Sequence, residues 1–239
     1  SRTTVAFADI QDEGKATYTF DIEWALPQLS NLDQVTHLHT GSIAATLEPG
    51  GTQVLETVRA VRPTGTISYD PNVRPALMGS PEEVLQRVEE LVCLSDVVKA
   101  SDEDLGWLFP DQPVEEVMRR WLTLGPLMMV VTRGPWGAYA RLRNDPDLLV
   151  IDPVTATVAD TVGAGDSFMA GLISGLLTAD LLGTVEARER LAACRWPDVQ
   201  PALHRASTTA SLTVRRAGAY APTLDEVEST RVKDSRFTQ

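Results

Sequence analysis

Apolar residues along the chain follow two rhythms. Short β-branched and aromatic runs alternate with longer stretches whose apolar positions recur every three or four residues. "TTVAFADI" (3–10) and "KATYTFDI" (15–22) flank "QDEG" and predict a β-hairpin. "VTHLHTGSI" (35–43) predicts a strand running into a Gly-Ser turn. "GGTQVLETVRAVRP" (50–63) predicts a helix, with Val54, Val58 and Val61 at helical spacing and Pro63 beyond its end. "GTISYD" (65–70) predicts a strand, and "PNVRP" a loop. "SPEEVLQRVEELVCLSD" (80–96) opens with a Ser cap, Pro at the first helical position and acids in the first turn, which predicts a helix. "VVKAS" reads as a strand, and "DEDLGWLF" and "VEEVMRRWLTLG" as helices. "PLMMVVTRG" (126–134) reads as a buried strand closed by Gly134, with further strands in "WGAYARLRN" and "DLLVID". Residues 165–179 predict a helix with Phe168, Leu172, Leu176 and Ala179 on one face. Two more helices are predicted near 185–194 and 199–214, followed by a tail.

Strands alternating with helices predict an α/β fold with a mostly parallel sheet covered on both faces. The opening hairpin reads as a separate flap. There are 239 residues, 43% of them hydrophobic and 23% charged, enough for a sizeable core. A net charge of −12 argues against a nucleic-acid surface and means that any phosphate site must be locally positive. No apolar run approaches the ~20 residues of a membrane span, and no signal-peptide pattern is present. The expected setting is therefore the cytoplasm. Cys93 and Cys194 lie far apart and are expected to be buried thiols in a reducing compartment. The chain begins "SRTTVAFADI", without Met, as expected of part of a longer chain.

The candidate chemistry lies in "DTVGAGDSFMAGLISGLL" (160–177). In open α/β sheets, ligands bind beyond the carboxyl ends of strands, at helix N-termini. Free N–H groups at 163–166, with the helix dipole behind them, would converge on one spot and suit a phosphate. Asp166 at the helix mouth could accept a proton from an attacking hydroxyl, a modest task in loose phosphoryl transfer. A glycine-rich N-cap with a capping Asp is the alternative reading. The loop lacks the Lys-Ser/Thr of a P-loop.

"DTVGAGD" resembles the DTxGAGD signature of the ribokinase (PfkB-type) carbohydrate kinases. "DPNVRPAL" (70–77), "LHTGSIAATLEPG" (38–50), "VVKASDEDL" (97–105), "VVTRGPWGA" (130–138) and "ASTTASLTVRRAGA" (206–219) are similar to family segments, the first to one of fructokinases and ketodeoxygluconate kinases and the second to one of fructokinases. The resemblance implies a ribokinase-like fold with a small β lid at 1–24 and a kinase domain at 25–239 that lacks the family's first strands. It implies an ATP-dependent kinase acting on the primary hydroxyl of a small sugar, most readily fructose. 2-Keto-3-deoxygluconate is the other acceptor considered, and a non-catalytic sugar or nucleotide sensor the other class. Asp166 would be the base, and the N–H groups of Gly163, Ala164 and Gly165 would hold the phosphoryl charge. Asp70, Asn72 and Arg74 would meet the acceptor. Thr132, Gly134, Gly137 and Ser207, with Lys99 and Ser101, would line the ATP site, and Trp136 is expected to pack. Ser101 and Asp104 fall where the family has Asn-x-x-Glu, so Asp104 would reach Mg²⁺ through water. Asp160, with backbone near Thr213, Arg216 and Gly218, would hold K⁺. Paired lids imply a homodimer. His37 and His39 read as ordinary strand residues.

Overall fold

The computed structural model describes residues 5–10 and 16–233. Strands β1 (Val5–Ile10) and β2 (Ala16–Asp21) form the expected antiparallel hairpin, in a register from Val5 opposite Asp21 to Ile10 opposite Ala16. The "QDEG" link and the C-terminal residues 234–239 lie outside the described residues.

The main sheet holds β3 (His37–Gly41), β4 (Thr66–Asp70), β5 (Val97–Ser101), β6 (Met128–Thr132), β7 (Ala138–Leu142) and β8 (Leu149–Ile151), in that order. Its first four strands are parallel. Each parallel step needs a long crossover. These are α1 (Gly50–Val61), α3 (Pro81–Leu94), which follows the short α2 (Pro75–Met78), and the pair α4 (Asp102–Leu108) and α5 (Val114–Leu124). β7 and β8 run antiparallel, because only a tight turn joins β6 to β7. The remaining helices are α6 (Ala164–Thr178), α7 (Val185–Ala193), α8 (Trp196–Thr213) and α9 (Leu224–Lys233).

Strand alternation divides the core in two. Ile67, Tyr69, Val98, Ala100, Met129 and Val131 pack under α1, α3, α4 and α5. Val97, Met128, Val130, Ala138 and Ala140 pack under α6, α7 and α8. α6 approaches α8 closely, since a Cβ on Gly175 would lie 2.5 Å from the Ala202 Cα.

At the amino ends of the strands, Asp96 acts as a buried hub, 1% exposed. Its carboxylate accepts from Arg62 Nη1 (3.3 Å), Arg188 Nε (2.8 Å) and the Ile67 N–H (2.8 Å). One side chain thereby fastens the end of α1, α7 and β4.

Four local expectations are corrected. The C-terminal tail contains α9, whose first turn is held by Glu226 accepting from the Thr223 N–H at 2.8 Å. Ala179 caps α6 at the surface and does not join its buried face. Cys93 is exposed, because it lies on the outer side of α3; Cys194 is buried as expected. Trp136 is 71% exposed and does not pack, because the tight turn that carries it projects from the sheet. Among the described residues no helix is long and apolar enough to cross a membrane.

Candidate active site

The strand register brings the expected residues to one edge. Gly41 ends β3 beside Asp70, the end of β4, and Ser101 ends β5 beside Thr132, the end of β6. α6 starts above this edge. Its cap, Gly163, has φ 78°, in the left-handed region that favours glycine. The N–H groups of Gly163, Gly165 and Asp166 have no acceptor among the described residues. The Ala164 N–H, expected in the same set, already donates to the Thr161 carbonyl at 3.2 Å.

A buried cation lies directly beneath. A Cβ on Gly165 would stand 3.1 Å from Lys99 Nζ, so the missing side chain is what lets the ammonium approach the loop. Lys99 is 3% exposed and donates to Asp70 Oδ2 at 2.8 Å. Burial pushes the Asp70 carboxyl up from its ordinary pKa. The charge and hydrogen bond of Lys99 pull it down, while Asp104 and Asp166 push it up, and the upward influences win. Three carboxylates and one ammonium therefore share the site, and Asp166 stays exposed at the helix mouth. An anion-seeking helix terminus, a buried cation and an accessible carboxylate together suit transfer of a phosphoryl group to a hydroxyl.

A model of the pfkB family carbohydrate kinases matches residues 1–226. The chain belongs to that family. A fructokinase of Klebsiella pneumoniae is 32% identical over 183 residues, which cover 73% of this chain and 59% of that protein. The chain thus spans under two thirds of that relative's length. A fructokinase from Xylella fastidiosa, solved with bound ATP, superposes with a TM-score of 0.81 at 22% identity, covering 98% of this chain and 74% of that one. A fructokinase from Vibrio cholerae O395, in a fructose-, ADP- and calcium-bound form, gives a TM-score of 0.70 at 26% identity, covering 95% and 73%. These likenesses establish the ribokinase-like fold.

In this pfkB chain the loop after β4 is held from several sides. The Asn72 N–H donates to Asp70 Oδ1 at 3.2 Å, and the Asn72 carbonyl accepts from Ser42 Oγ at 3.1 Å. Arg74, expected to offer its fork to the acceptor, turns back on its own loop: Nη1 donates to Asn72 Oδ1 (2.7 Å) and to the Val73 carbonyl (2.9 Å). The turn after β6 is shaped by Gly134 (φ 50°) and Gly137 (φ 80°), and a Cβ on Gly137 would overlap the Ile151 carbonyl. Thr132 Oγ1 donates to the Ala100 carbonyl at 3.4 Å, and Ser207 is half-buried on α8.

Asp160 and Asp104 are both committed to backbone donors. Asp160 accepts from the Val162 N–H (3.0 Å) and the Gly218 N–H (2.8 Å), which hold its pKa below the usual carboxylate range. Asp104 accepts from the Ser101 N–H (2.8 Å) and the Val73 N–H (2.7 Å), and its own N–H donates to Ser101 Oγ at 3.0 Å.

The pfkB edge strand β3 adds a polar chain that sequence reasoning missed. Thr66 Oγ1 accepts from the Gly183 N–H at 2.9 Å and is bonded to His37 Nδ1 at 2.8 Å. Ser68 Oγ joins the two rings, 3.0 Å from His37 Nε2 and 2.9 Å from His39 Nδ1. Burial, with His39 next, lowers the His37 pKa to about 4. The signal was the shared parity of His37, His39, Thr66 and Ser68 on two paired strands.

Proposed function

We propose that this chain carries the phosphoryl-transfer machinery of an ATP-dependent sugar kinase whose acceptor is the primary hydroxyl of fructose. The observation that carries the reading is the glycine-opened N-terminus of α6 standing on buried Lys99, with Asp166 at its mouth. The fructokinase relatives and the fructose- and ADP-bound neighbour support the choice of acceptor.

The chain's own residues divide the work. The N–H groups of Gly163 and Gly165 and the Lys99 ammonium meet the charge that spreads over the transferred phosphoryl oxygens. Asp166 accepts the proton as the acceptor oxygen attacks. Asp70 keeps Lys99 in place. The turn Thr132–Gly137 offers backbone to the nucleotide. The β1–β2 hairpin covers the acceptor, excludes water as a competing acceptor, and offers a surface through which two copies pair.

Magnesium is the metal that such chemistry implies. Among the described residues no cluster of three or more His, Cys, Asp or Glu could hold an ion, and both Asp104 oxygens already accept backbone N–H groups. A magnesium ion carried on the nucleotide phosphates needs few protein ligands, and no step is assigned to it here. Of the backbone oxygens implied for K⁺, the Thr213 carbonyl accepts from the Arg216 N–H at 3.1 Å and the Gly218 carbonyl from the Tyr220 N–H at 2.8 Å.

The test is ADP release from Mg-ATP with fructose, ketodeoxygluconate, ribose or no sugar. Fructose-dependent release is expected, with Asp166→Asn slower by about 10²–10⁴-fold while retaining its fold. Release only with ketodeoxygluconate would move the acceptor. Binding without release would favour a sensor, and near-wild-type turnover by Asp166→Asn would remove that residue from the mechanism.

A further inference from the structure

We propose that Asp104 is a positioning residue for the acceptor loop, tying its backbone to the β5–α4 turn, and not the magnesium contact that its place in the sequence implies. This rests on the reading of residues 70–74 as the acceptor loop.

Asp104 is 7% exposed, and each of its oxygens has a defined partner. Oδ2 completes a capping box with Ser101 at the start of α4. Oδ1 leaves its own helix and accepts the Val73 N–H at 2.7 Å, 31 residues back along the chain. That loop needs a tether. Asn72 holds φ 38°, a left-handed value uncommon in a residue with a side chain. Two buried carboxylates pin the consecutive amides: Asp70 takes Asn72 N–H and Asp104 takes Val73 N–H. Each uses its second oxygen on β5, Asp70 on Lys99 Nζ and Asp104 on the Ser101 N–H. The loop that meets the acceptor and the strand that carries the buried cation are therefore held as one body.

The length of the side chain is decisive. Glutamate is longer by one carbon–carbon bond, roughly 1.5 Å. It is a standard partner in a capping box, so Asp104→Glu keeps the Ser101 tie and the helix start. It cannot also keep an oxygen 2.7 Å from the Val73 N–H. The variant separates the tether from the cap.

The experiment uses the full chain with Asp104→Glu. Amide exchange at Val73, followed by NMR, should accelerate at least tenfold. The KM for the acceptor should rise about tenfold, with kcat, the KM for ATP and the half-saturating magnesium concentration each within twofold of wild type. Unchanged Val73 exchange would overturn the proposal. So would a shifted magnesium requirement with an unchanged acceptor KM, which is the signature of a metal contact. A wild-type protein without turnover on any sugar would refute the kinase reading and the acceptor part of this proposal, whereas the tether stands or falls on the exchange rate.

Discussion

Lys99→Met should destabilise the protein, and by an amount that depends on pH. The substitution preserves bulk but removes the cation 2.8 Å from Asp70 Oδ2, leaving a carboxyl that is 4% exposed without its ammonium. Removing one member of a buried ion pair costs about 3–5 kcal/mol while the survivor stays charged. Asp70 has a way to escape that cost. Burial, Asp104 and Asp166 already hold its pKa above 3.8, and Lys99 supplies both opposing influences. Without Lys99 the folded-state pKa rises further. Between the unfolded and folded values the folded protein binds more protons, so this group's contribution to stability rises as pH falls. The variant should be about 3 kcal/mol less stable than wild type near pH 8, with the gap closing by up to ~1.4 kcal/mol for each pH unit once the carboxyl titrates. Urea unfolding followed by circular dichroism near pH 8 and pH 5.5 measures both gaps. For a chain of this size the loss near pH 8 corresponds to a Tm lower by about 6–12 °C. The double variant Asp70→Asn with Lys99→Met should recover most of the loss, because no buried charge then lacks a partner. Equal gaps at the two pH values, or a double variant as unstable as the sum of the singles, would refute the coupling.

Asp96→Asn should lower stability by about 3 kcal/mol or more, because Arg62 and Arg188 lose their shared anion. A thermal melt checks this, and turnover at low temperature should persist because the hub lies at the strands' opposite ends. Acidification should unfold the protein through His37. Its folded pKa of about 4 lies below the unfolded 6.5, so the unfolded chain binds more protons and stability falls as pH drops through that window. His37→Gln should flatten that slope in urea melts at stepped pH, and an unchanged slope would assign it to other groups.

Elements whose hydrophobic period is clean were legible from the sequence, and so was the place of the 163–166 loop at the start of a helix, because the glycines stand directly before an apolar-periodic run. The α6 boundary shifted by one residue only. What escaped depends on contacts between distant segments. Nothing near Lys99 in the sequence names Asp70 as its partner; only the β4–β5 pairing does. The capping box of Ser101 and Asp104 is local, but the second use of Asp104, on Val73, requires the packed loop. Trp136 was misjudged because bulk predicts burial only where a neighbouring surface exists, and its turn projects beyond the sheet. α9 was missed because its apolar positions are few; it is held against α8 by Arg205 pairing with Glu228 and by Arg231 Nη2 donating to the Pro201 carbonyl.

The sheet that divides the core also separates two kinds of mutational freedom. The loop at 70–74 rests on the layer of α1, α3, α4 and α5, whereas the 163–166 loop rests on α6 seated against α8. On the proposed reading, a substitution in the first layer acts first on the acceptor loop, and one in the second acts first on the phosphoryl loop. Lys99 and Asp70 are the stitch between them. Lineages descending from such a chain could drift from one sugar to another by remodelling a single layer, provided that this stitch is left intact.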